Sequence, residues 1–264
     1  MGIFDKIFEK IEEIGYKITL MQIFNPLMDR IDKLPEKEVR EFFKTILDAA
    51  ERALRGILFM APSERDFATP PSKRDKTFWE KTMEEKSAFY KALTPEEINF
   101  WLNKVSLALL SYSYYFNFPI LKQNKVLPDF LEISYKTYWE RMYYYYNQIF
   151  NENITQKEID YYASGVKESK KRLKEDKEKE CIESDNVKKV AELFVRDCTT
   201  IGAELLKKIW NQNINLETLE SLKKYKPGHK IENPLANKIF FVGDRIWKAY
   251  LQIVQPFLVQ LLNI

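Results

Sequence analysis

The residues best suited to acid–base, nucleophilic or metal chemistry are few in this chain. Its single histidine, His229, stands in the run Pro227-Gly228-His229-Lys230. A histidine-based metal site takes at least two imidazoles, or an imidazole with nearby thiolates. A di-iron helical bundle takes Glu-x-x-His from each of two helices. One histidine satisfies neither, and no residue in the sequence marks itself as its partner in a Ser-His-Asp or Cys-His arrangement. His229 is therefore read as incidental. Cys181 and Cys198 fall on what read as successive helices and are expected as a reduced intracellular pair, with a disulfide between the two helices as the alternative. The seven glycines all stand alone, with no GxG and no GxxxxGK. Backbone amides then have no glycine-rich loop through which to approach a phosphate, which removes the P-loop and dinucleotide-binding classes. No catalytic, metal-binding or cofactor-binding residue is assigned and no cofactor is expected. Because acids are abundant, a carboxylate site created only by the fold stays open.

Asp244 and Arg245 interrupt a strongly apolar stretch near the end of the chain. Buried charges must be paired, so a polar site there is conceivable. The plainer expectation is that Asp244 faces Lys248 one turn later on an exposed stripe. Such a pair contributes only about 0.2–0.5 kcal/mol.

Two surfaces have the composition of binding faces. From Lys167 to Glu180 nearly every residue is charged, and Lys167, Lys170, Lys171, Lys174 and Lys177 fall on one helical face able to track phosphates. Upstream, Thr155-Gln156-Lys157-Glu158-Ile159, with Gly165-Val166 where a turn would lie, resembles the opening of a helix-turn-helix. It departs from that pattern at Asp160, where a small residue should pack, and in its turn spacing. Glu168, Glu175, Asp176, Glu178 and Glu180 oppose phosphate binding and fit a solvated helix laced with i,i+4 pairs. Tyr112, Tyr114, Tyr115, Phe116 and Phe118 form one aromatic cluster; Tyr135, Tyr138, Trp139 and Tyr143 to Tyr146 form another. Four consecutive tyrosines must cover every side of a helix, so core plus interface is the expected arrangement.

The second surface is formed by the two ends of the sequence given. Residues 249–264 carry no charge. A membrane span needs about 20 mainly apolar residues, and this run is shorter and holds Gln252, Gln255 and Gln260. A core helix or subunit interface fits it better, with Ile253, Phe257 and Leu261 as candidate interface residues. At the other end Ile3, Phe4, Ile7, Phe8, Ile11, Ile14 and Ile18 recur at three- and four-residue steps, which predicts an amphipathic helix. Its polar face mixes acids with lysines, unlike a membrane-surface helix, and membrane association is not expected.

The elements that position these residues read as helices throughout. Asn25-Pro26 is expected to end or kink the first. A second opens at Pro35-Glu36 and runs through Val39, Phe42, Phe43, Ile46, Leu47, Ala50, Leu54 and Leu58. Residues 61–75, with three prolines, read as an exposed loop. Further helices are expected over 76–92, from Thr94-Pro95-Glu96-Glu97 to about 117 with Pro119 closing it, over 128–151, from the Thr155/Glu158 capping box toward 182, and from Ser184-Asp185 to about 211. A short one near 216–224 precedes the break at Lys226-Pro227-Gly228. Asn233-Pro234 starts a last long helix, in which Pro256 should introduce a kink. No period-two run and no internal repeat occurs.

Scarce glycine and continuous helical periodicity predict an all-α fold, a multi-helix bundle of about eight helices. It is expected as one domain or as two lobes, residues 1–152 and 153–264. A 264-residue chain that is 45% hydrophobic and 31% charged buries a core without disulfides or metal. The net charge of +3 requires no polyanionic partner. Abundant Lys, Glu, Ile and Tyr lean toward a thermophilic source. With no signal-peptide pattern at Met1-Gly2-Ile3-Phe4-Asp5-Lys6, a cytoplasmic protein is expected. The function expected from these readings is a non-enzymatic assembly or scaffold role through a protein partner or homo-oligomer. The alternative is a nucleic-acid-binding accessory protein, from a mobile genetic element, working through the lysine face.

Overall fold

A computed structural model describes residues 21–60, 71–73, 75–78, 80–81, 84, 93–123, 128–155, 215, 217–218 and 233–261. Among these the regular structure is helical and no strand occurs, so the protein is all-α. The helices named here are the described ones. They are α1 (its described part 21–32), α2 (Lys37–Met60), α3 (Pro95–Gln123), α4 (Pro128–Phe150), α5 (Pro234–Ala249) and α6 (Gln255–Leu261), with a π-helical turn over Tyr250–Val254 joining the last two.

α2 is the helix on which the others assemble. Val39, Phe42, Phe43, Ile46, Leu47, Ala50, Leu54, Ile57 and Leu58 are buried at three- and four-residue steps, as its periodicity predicts. α3, α5, the π turn and α6 all pack on it, while α4 packs on α3. Phe42 touches Phe43, Trp139 of α4 and Phe257 of α6, with ring centroids 5.5, 6.1 and 6.4 Å away. One core cluster thus draws on residues from both sides of position 152.

α3 follows a different logic. From Trp101 to Ser113 almost every residue is buried, serines included, because neighbours cover it on several sides. Burying a hydroxyl costs free energy unless it is hydrogen-bonded. Ser111 and Ser113 meet that need by donating to the carbonyls of Leu107 and Leu109 one turn back, each at 2.8 Å.

Predicted starts at Thr94, Asn215 and Asn233 are present, while Glu158 of the Thr155/Glu158 capping box and the start at Ser184-Asp185 lie outside the described residues. Thr94 and Glu97 form a reciprocal capping box, Thr94 N–H donating to Oε2 at 3.0 Å and Glu97 N–H to Oγ1 at 3.2 Å. Asn233 caps α5 through Ala236 N–H at 3.0 Å, and Asn215 accepts from Thr218 N–H at 2.8 Å. Asp75 supplies a cap not expected from the sequence, accepting from Phe78 N–H at 2.8 Å. In the predicted loop 61–75, Pro71–Lys73 form one 3-10 turn.

Two prolines fail to stop their helices. α1 passes through Asn25-Pro26 to residue 32, because Ile23, Leu27 and Ile31, one turn apart, are all buried. Burying two such side chains beyond the proline offsets the roughly 3 kcal/mol that an interior proline costs. α3 likewise continues through Pro119 to Gln123. By that point six turns of helix precede it, and extending a formed helix is far easier than nucleating one.

Pro256 acts through the turn before it. Ile246, Tyr250, Val254 and Leu258 are fully buried at successive steps of four. In a regular α-helix each such step overshoots by about 40°, so three steps would carry the buried line roughly 120° off the core. The π turn takes in one extra residue and absorbs about 100° of that drift. Its wider bonding pattern is explicit where Gln255 N–H donates to the Tyr250 carbonyl. The proline, lacking an N–H, adds no further donor to be satisfied one residue later.

Candidate interaction surface

The helix 234–261 displays three parallel stripes after Ala249. Tyr250, Val254 and Leu258 face inward and are fully buried. Ile253, Phe257 and Leu261, the candidate interface residues, are half-buried and pack against the core edge. Phe257 stacks on Phe42, so these three belong to the intramolecular packing as well as to the flank of the exposed surface. The outward stripe is Leu251, Gln252, Pro256 and Gln260, all exposed, with Gln255 and Val259 half-exposed beside them. Leu251 is 40% exposed. No outward or flanking position of this segment carries a charge.

The inward stripe is fixed by aromatic contacts. Trp247 stacks on Tyr250 at 5.5 Å with a 19° interplanar angle. Tyr112 of α3 meets both edge-on, at 5.6 and 5.9 Å. Burial pushes the Tyr250 phenol well above its usual range, so it is neutral at any ordinary pH.

Asp244 and Lys248 pair at 2.7 Å on the exposed side, as their spacing predicts. Arg245 does not share in that pair. Its stem crosses α2 at Gly56, where an added Cβ would lie 3.5 Å from Arg245 Cδ. Its guanidinium carbon lies 4.8 Å from the centroid of the Phe241 ring. Nε is buried with no hydrogen-bond acceptor among the described residues.

A second polar cluster closes α4. Asn151 takes a left-handed conformation, φ 55°, and Glu152 N–H donates to the Asn147 carbonyl at 3.1 Å. This is the Schellman ending, with asparagine in place of the usual glycine. Asn147 then holds the following strand of chain through Ile154, accepting its N–H at 3.0 Å. Tyr146 donates to Asn103, whose carbonyl lies 3.0 Å away, Asn103 Nδ2 donates to Glu152, and Lys104 reaches Glu152 at 4.0 Å. Arg30 of α1 donates to the Ile149 carbonyl at 2.7 Å. At the other end of α4, Arg141 pairs with Glu36 before α2, and Tyr145 donates to the same carboxylate at 3.1 Å. These polar groups are spent on joining helices.

The four-tyrosine run resolves into three buried residues, Tyr143, Tyr145 and Tyr146, and one exposed, Tyr144, at 58%. Lys167, Lys170, Lys171, Lys174 and Lys177 lie outside the described residues, as do Cys181, Cys198, His229 and the helix expected over 3–18. Among the described residues no three His, Cys, Asp or Glu side chains converge into a metal-holding group. No described helix is long and apolar enough to cross a membrane. The sequence flagged Arg245 but not its separation from Asp244, and it did not mark Leu251. The fourfold spacing of Ile246, Tyr250, Val254 and Leu258 ahead of Pro256 is the signal that would have found the outward stripe. No family model, curated protein or solved structure matches the chain.

Proposed function

We propose that this protein is a non-enzymatic helical assembly component that self-associates through the outward stripe of its last described helix. The observation that carries this reading is the charge-free exterior of residues 251–261. Exposed helix positions elsewhere are salted with ions, such as Asp48 with Arg52 and Lys76 with Glu80. This helix instead offers Leu251, Pro256 and glutamines to solvent. Depletion of charge, more than bulk hydrophobicity, marks the centre of a protein interface.

The test is mass by light scattering during size-exclusion chromatography, with absorbance read at two ultraviolet wavelengths. Leu251→Glu places a charge in the stripe and is expected to lower the mass toward a single chain. Tyr144→Glu, at an exposed position on a different helix, is expected to leave the mass unchanged. A Leu251→Glu protein that associates like the wild type removes the stripe from consideration. The alternative reading, nucleic-acid binding through Lys167, Lys170, Lys171, Lys174 and Lys177, predicts excess nucleic-acid absorbance that salt strips away.

A further inference from the structure

We draw no further inference here: the strongest candidate, the half-buried Arg245 side chain at the seam between α5 and α2, whose Nε meets no hydrogen-bond acceptor among the described residues, carries no proposal, because nothing in the structure shows what covers it.

Discussion

At the scale of single residues, this protein uses its tyrosines as struts with a polar end. Tyr146 is fully buried, and its hydroxyl donates to Asn103, itself buried and bonded to Glu152. Removing that hydroxyl leaves Asn103 without one of its partners in a dry site, at a cost of about 1–3 kcal/mol. Tyr146→Phe is therefore expected to lower unfolding free energy by that amount in urea titration. Tyr144→Phe, altering a hydroxyl on an exposed ring, should change it by less than about 0.5 kcal/mol. Equal effects would mean that the two tyrosines are not placed as described. That one of four adjacent tyrosines must face outward followed from the helical repeat alone. Which one did so was set by where α2 and α3 lie, and no local rule in the sequence carries that information. The same limit applies to Arg245. Its neighbour in sequence was visible, but Gly56, almost two hundred residues away, decides where its stem goes.

At the scale of elements, the starts of helices were legible and their ends were not. Thr94, Asn233 and the α2 periodicity act through residues within one turn, so the sequence shows them directly. Pro26 does not end α1 and Pro119 does not close α3, because the proline penalty is local while the burial or propagation that outweighs it is not. α2 itself offers two tests. Gly56 sits in the middle of a helix, and an added methyl group would make ordinary contact, at 3.5 Å, with the Arg245 stem. Gly56→Ala is expected to raise stability by about 0.5–1 kcal/mol through helix propensity, measured by denaturant titration. A loss would show that the seam is tighter than described. Glu51, half-buried on the same helix, has its carboxyl pushed above the usual range, chiefly by desolvation and against the pull of Arg55. The folded state then holds its proton to higher pH than the unfolded state does. Ionising Glu51 therefore costs stability as pH rises from the unfolded pKa through the folded one. Glu51→Gln is expected to raise the thermal midpoint at neutral pH, with the gain shrinking once the pH falls below the ordinary carboxylate range. A gain that is constant with pH would assign the effect to packing.

At the scale of the molecule, the all-α class was legible because it is the sum of many local signals: helical periodicity, isolated glycines and capping residues. The core was legible as positions but not as partners. Nothing in the sequence announces that 234–261 packs on α2 and α3, across a separation of well over a hundred residues. The uncharged segment was legible in the sequence, but how its residues divide between core edge and solvent was not. Ile253, Phe257 and Leu261 form the half-buried flank, while Leu251, Gln252, Pro256 and Gln260 form the exposed stripe. The π turn causes the difference, because one extra residue before Pro256 rotates every later position by nearly a third of a turn. Deleting Gln252 removes the extra residue, and a regular α-helix then carries Tyr250, Val254 and Leu258 inward at steps of three and four. That deletion is expected to cost about 1 kcal/mol or less in urea titration, and a loss of several kcal/mol, in the range of large core truncations, would show that the turn does more than set the register.

In the proposed assembly, the charge-free stripe is covered by a second copy of the chain. Sedimentation equilibrium of the wild-type protein over two decades of concentration is the decisive test. Self-association predicts an average mass that rises with concentration above the 31.6 kDa of one chain. A mass that stays at the single-chain value across the whole range would contradict it.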